Sequence, residues 1–106
     1  MPNPQRGEIW LVDLGMTAKV RPGMVVSIPV RDEDRALVTI IPHTTSSRGS
    51  RFEVSLEVPF LRPGAFDVQN LVTIPIAKLI RRLGYLPNNQ KENVEAVLAK
   101  WLGLRT

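Results

Sequence analysis

Residues 36–58 read ALVTIIPHTTSSRGSRFEVSLEV, and this stretch decides the fold. Ala36 to Ile41 is a short run rich in β-branched side chains, which predicts a strand buried on both faces. Pro42 to Ser50, Pro-His-Thr-Thr-Ser-Ser-Arg-Gly-Ser, is hydrophilic and predicts a loop. Arg51 to Val58 then alternates cleanly. Phe52, Val54, Leu56 and Val58 face inward, and Arg51, Glu53, Ser55 and Glu57 face out, the period of a half-buried strand.

The same reading extends in both directions. Upstream, Glu8 to Leu14 is a first strand with Trp10, Val12 and Leu14 on one face. Gly15 to Val20 is a short connection, Arg21-Pro22-Gly23 a turn signal, Met24 to Val30 a second strand and Arg31 to Arg35 a charged hairpin tip. Downstream, Pro59 to Asp67 is irregular with a Pro63-Gly64 turn, and Asn70 to Ile74 is a further strand. Pro75 suits the first position of a short helix, Ile76 to Arg82, carrying Lys78, Arg81 and Arg82. Asn88 or Asn89 caps a last helix. Its apolar face is Val94, Val97, Leu98, Trp101 and Leu102, and Gly103 stops it. The expected architecture is one domain over residues 1–106, mostly β within the α+β class. It is a small SH3-like barrel or curved antiparallel sheet with a C-terminal helix.

Composition narrows the functions open to such a domain. The chain has 106 residues, 43% of them apolar, and no cysteine, so a disulfide framework and a thiolate zinc site are both excluded. No apolar run approaches the ~20 residues of a membrane helix, so no membrane association is expected. The segment Met1 to Arg6 has no apolar core of a signal peptide, and a cytoplasmic protein is expected. The net charge of +4 suits a polyanionic partner. With one histidine, His43, a two-histidine acid–base pair is impossible within one chain. The carboxylates are scattered singly, and no Gly-rich phosphate loop or His-Glu-x-x-His motif occurs, so neither a metal nor a cofactor is expected.

Two polar spots remain, both at predicted strand ends. Arg21 precedes Pro22 and a buried strand, and arginine is the residue for bidentate phosphate contact. The loop His43-Thr44-Thr45-Ser46-Ser47-Arg48-Gly49 offers hydroxyls and backbone N–H groups to phosphate oxygens. Read singly, each has a plain alternative. Arg21 suits a solvated turn, the Ser/Thr run an ordinary loop, and His43 a polar loop position. Lys78, Arg81 and Arg82 suit a solvated face, and Trp10 and Trp101 suit the core.

Taken together the motifs go further. Arg6-Gly7-Glu8-Ile9-Trp10-Leu11-Val12-Asp13-Leu14 resembles the opening strand of the MazF/PemK toxins. Arg21-Pro22-Gly23-Met24-Val25-Val26-Ser27 is similar to their Arg-Pro turn and second strand. Ile41-Pro42-His43-Thr44-Thr45-Ser46, leading to Phe52-Glu53-Val54, resembles their Pro-x-Thr loop, and Gln69-Asn70-Leu71-Val72-Thr73-Ile74 their penultimate block. The likeness runs from Arg6 to the C-terminal helix. It departs at Gly15 to Val20, which is short and lacks the family's glutamate, and at Val72, where some members carry Arg or Lys.

The resemblance implies the plasmid-maintenance toxin fold shared by MazF and CcdB, a two-fold homodimer, and metal-independent, sequence-specific cleavage of single-stranded RNA. It implies neutralisation by a cognate antitoxin whose acidic C-terminal segment lies across the RNA groove. It assigns the reaction to Arg21 and Thr44. Base reading is expected of His43, Thr45, Ser46, Arg48, Gln69 and Asn70, because single-stranded bases are read by polar groups of this kind. The rival functions are a gyrase-binding toxin of the CcdB type and a non-cutting RNA- or antitoxin-binding module.

Overall fold

Ile40 and Ile41 are neighbours in sequence and lie in different cores, one on each side of a single sheet. The computed structural model describes residues 2–15 and 19–104. In chain order the elements are β1 (Glu8–Asp13), β2 (Val20–Val25), β3 (Leu37–Thr44), β4 (Glu53–Ser55), β5 (Ala65–Asp67), β6 (Val72–Pro75), β7 (Leu79–Tyr85) and α1 (Asn88–Leu102). Single 3-10 turns occupy Val68–Asn70 and Ile76–Lys78. The strands form one sheet in the order β4-β5-β3-β2-β1-β7, with β6 also pairing β3, and every pairing is antiparallel. Of the two forms expected, the sheet takes the open, curved one. Its path ends at β4 and β7, which do not pair with each other among the described residues.

Strand alternation sorts the apolar side chains between the two faces. Ile9, Met24, Ile41, Phe52, Val54 and Phe66 build one core, against which Val94, Val97 and Leu98 of α1 pack. Val12, Val25, Val38, Ile40, Ile76 and Leu79 build the other, with Trp10 and Leu14 beside Val12 as the sequence predicts. Strand β1 serves both cores by the same alternation, Ile9 facing one and Trp10 and Val12 the other, and its pairing with β7 slips between Ile9 and Trp10 and again between Leu11 and Val12. Such irregularities bend a strand and re-aim its side chains.

Several sequence expectations are corrected. Arg21-Pro22-Gly23 is not a turn but part of β2, which ends at Val25 rather than running to Val30. Proline is tolerated there because β3 pairs with β2 only from Gly23 onward, so Pro22 has a sheet neighbour on one side alone. Pro42, His43 and Thr44 are not loop residues. They continue β3, held first by β2 and then by β5. The segment Ile76 to Arg82 is helical only for the 3-10 turn that follows Pro75. From Leu79 it is strand, because β1 has an edge that needs a partner. The alternation of residues 51–58 holds, but only Glu53–Ser55 finds a ladder, with β5. Neither Asn88 nor Asn89 caps α1, whose N-cap is Pro87 with no side-chain hydrogen bond.

Gly103 does end the helix, at φ 71°, with its N–H on Lys100 O at 3.2 Å and that of Leu104 on Ala99 O at 2.9 Å. The last turn overhangs the sheet. Trp101, expected in the core, is exposed like Leu102 and keeps one contact, with Phe52, ring centroids 5.1 Å apart. Half of the Gly15 to Val20 connection, residues 16–18, lies outside the described residues, and Val20 already belongs to β2.

Candidate functional site

The site grows from a fork between two strands. Strands β2 and β3 pair from Val25↔Ile40 to Gly23↔Pro42 and then part. Beyond that point β3 changes partner, His43 lying opposite Phe66 and Thr44 opposite Ala65 on β5. Pro22 and Pro42 have no N–H to extend the ladder. Had the register continued, Arg21 would stand opposite Thr44. Instead the two side chains flank the mouth of the fork. Both line two adjoining depressions of about 350 and 660 Å³. Thr44 also borders a third of about 300 Å³.

All eight residues expected to form a site line these three depressions. Arg21, His43, Thr44, Thr45 and Ser46 line the second, and Ser46, Arg48, Gln69 and Asn70 line the third with Thr44. They differ in what they offer. Arg21, Thr45, Ser46, Arg48, Gln69 and Asn70 are exposed. Thr44 is half-buried. Its hydroxyl oxygen accepts the Ser46 N–H at 3.0 Å, and its own O–H is left to donate. His43, expected at a loop surface, is 4% exposed, its ring edge-on to Phe66 at 5.2 Å. It forms wall rather than surface.

The structure adds residues that the sequence reading passed over. Glu53, expected merely to face solvent, gathers the loop that bears Arg48. Its carboxylate accepts the backbone N–H of Arg48 at 2.9 Å and of Ser50 at 2.8 Å. These bonds, Arg48 first, hold its carboxyl below the usual range. Asp67 accepts the Asn70 side-chain amide and orients it beside the first and third depressions. Phe60, Arg62 and Arg81 line the second. Arg81 and Arg82, grouped together in the sequence, part company on the strand. Arg82 donates to Glu8 at 3.2 Å, across from β7 to β1. Burial pushes the Glu8 carboxyl up, but N–H donors from Gln5, Trp10 and Arg82 outweigh it and leave it lowered. Among the described residues, no three His, Asp or Glu side chains gather into a group that could hold a metal ion.

Burial also lowers the pKa of His43. The folded protein therefore binds this proton less readily than the unfolded chain, whose histidine titrates near ~6.5. Stability is fully present above that pH and falls on acidification, by at most about 1.4 kcal/mol per pH unit. Glu8 and Glu53, both lowered, contribute losses only at more acid pH. Urea unfolding between pH 7.5 and 5 is expected to show the decline in wild type and a flatter profile in His43→Asn. Parallel profiles would contradict the assignment.

The architecture is an open antiparallel sheet backed by one C-terminal helix. Several solved structures share it. One is an endoribonuclease in complex with its cognate antitoxin from a mycobacterial species, with TM-score 0.81 and 25% identity over 100% of this chain and 99% of that one. Another is the Mycobacterium tuberculosis toxin MazF-mt6, with TM-score 0.80 and 29% identity over 93% of this chain and 99% of that one. MazE-MazF of Deinococcus radiodurans, 21% identical, has the same fold at TM-score 0.82 over 99% of this chain and 100% of that one. In sequence, Endoribonuclease MazF3 of M. tuberculosis is 30% identical over 94 residues, 87% of each chain. Residues 5–102 match the family described as PemK-like, MazF-like toxin of type II toxin-antitoxin system. The chain belongs to the PemK/MazF toxin family.

Proposed function

We propose that this chain is an endoribonuclease toxin, a single domain that cuts single-stranded RNA at specific sequences without a metal ion and is neutralised by a cognate antitoxin. The observation that carries the reading is the fork that sets Arg21 and Thr44 at the edge of the same two depressions. RNA brings its own nucleophile, the 2′-hydroxyl, so no metal-bound water is required. The protein must orient the strand in line and stabilise the charge that builds on the phosphorus. Arg21 supplies a planar, permanently charged fork to the scissile phosphate. A guanidinium keeps its proton in proteins, so Arg21 stabilises charge and does not carry the proton away. Thr44 donates its hydroxyl to a phosphate oxygen. The 2′-oxygen bonds to phosphorus and the 5′-oxygen leaves, giving a 2′,3′-cyclic phosphate, or a 3′-phosphate after its hydrolysis, and a 5′-hydroxyl.

Ser46, Arg48, Gln69 and Asn70 read bases along the third depression, the polar arm of the groove, Thr45 reads from the second, and His43 supports Thr44. The toxin works as a cytoplasmic homodimer. The antitoxin's acidic C-terminal segment occupies the same groove, drawn by its arginines. Among the described residues no helix is long and apolar enough to cross a membrane.

The test is a cleavage assay on long unstructured RNA in excess EDTA. Discrete fragments with 5′-hydroxyl ends are expected. Intact RNA across several substrates would overturn the reading, and inhibition of DNA gyrase by the same preparation would establish the CcdB-type alternative.

A further inference from the structure

The depression on the far side of the fork from Arg48 has a character of its own. Leu11, Leu61 and Leu83 line it with apolar surface and Arg21, Arg62 and Arg81 with positive charge, beside His43, Thr44, Thr45 and Ser46. No carboxylate lines it, whereas the polar arm contains Glu53 and Asp67. Over it stands Phe60, 43% exposed. That ring is held in place. Val58 to Leu61 is a turn with proline at its second position, closed by the Leu61 N–H on Val58 O at 3.0 Å. The far edge of the ring abuts Gly84 of β7, where a Cβ would come within 2.7 Å of its Cε1 and Cζ atoms. So supported, Phe60 lines the depression and stays exposed.

A supported, exposed aromatic ring beside apolar surface, with arginines around it, suits a nucleobase and its phosphates. We propose that Phe60 is a base-stacking subsite for one nucleotide adjoining the scissile phosphate, with Arg62 and Arg81 holding the strand's next phosphate. The subsite rests on the ribonuclease reading and extends it. Stacking tolerates any base, so Phe60 contributes affinity and alignment at a position the polar arm does not read. Arginine at both flanks matches the charge of the strand on either side of the stacked base. The short first strand, through Leu11, ties this surface to the row that contains Pro22 and Arg81, so the stacked nucleotide and the Arg21 phosphate site share one rigid support.

The experiment begins by mapping a cut in unmodified RNA. Binding is then measured to an uncleavable strand with a 2′-deoxy sugar at the cut, and to the same strand with one abasic site walked through the flanking positions. At one flanking position the missing base is expected to weaken binding to wild type by roughly 5- to 150-fold. In Phe60→Ala the same abasic site is expected to change binding less than about twofold, because the platform is already gone. Phe60→Trp keeps a stacking face and is expected to restore the penalty. Full abasic penalties at every position in Phe60→Ala would overturn the subsite. So would a Phe60→Ala protein that loses self-association while its abasic profile stays unchanged, since the ring would then serve a contact between copies. Cutting by wild type without coupling removes the subsite alone. Absence of any cut removes the ribonuclease reading with it.

Discussion

Arg21→Ala is expected to lose at least about 10²–10³-fold in the rate of RNA cleavage, the scale on which removing one donor to a transition-state oxyanion acts. The side chain is exposed at the end of β2, and Val12, its cross-strand partner, is held by a core to which Arg21 does not belong. An unfolding midpoint measured beside the rate separates loss of chemistry from loss of fold. Single-turnover cleavage with enzyme in excess separates the chemical step from binding. Arg21→Lys is expected to recover only part of the loss, because an ammonium keeps the charge but not the two-pronged geometry. A variant lacking Arg21 that cleaves at the wild-type rate would remove this residue from the reaction.

The second large effect is expected at Gly64, and it falls on stability. A Cβ there would lie 2.1 Å from the carbonyl oxygen of Thr44 and 2.9 Å from His43 Cε1. The first of these is backbone, which cannot swing aside as a side chain can. Gly64→Ala must displace either the end of β3 or the loop that leads into β5. Overpacking of this kind costs about 1–3 kcal/mol. At the upper end, Tm falls by about 12–24 °C for a domain of this size. Cleavage by the surviving folded fraction should fall as well, since Thr44 is the residue pushed. An unchanged Tm would show that the segment yields freely.

These two positions illustrate what the sequence could and could not reveal. The period-two pattern of Phe52, Val54, Leu56 and Val58 was legible because one face of it is buried against a core. Three residues of β5 show no such pattern, and nothing local marks Ala65–Asp67 as a strand. Leu79, Ile80 and Leu83 fit a helix or a strand equally well. The choice was made by the open edge of β1, a distant feature that no window can see. Arg21 could be singled out by residue type beside a proline, and Thr44 only by the family resemblance, from a loop with several hydroxyls. Their meeting depends on where β2 and β3 stop pairing, which is a matter of register. Phe60 and Arg62 escape notice in the sequence, and Arg81 reads as part of a solvated face, for the same reason. They come from two segments that the sheet alone brings to one wall. His43 sits beside a run of hydroxyls that marks a loop, yet the change of strand partner draws it inward.

The pairing of the first strand with the last has a consequence in time. A growing chain presents β2 and β3 to the solvent well before β7 exists, and synthesis at ~5–20 residues per second puts about 2–8 s between Thr44 and Tyr85. During that interval β1 has only one neighbour, and neither Arg81 nor the Gly84 support for Phe60 has been made. Arg21 and Thr44 are thus among the early parts of the molecule, while Arg81 and Gly84 of the wall beside them are among the late ones. The pairing of β1 with β7 is the last step that brings Arg81 and Gly84 to the wall beside Arg21 and Thr44.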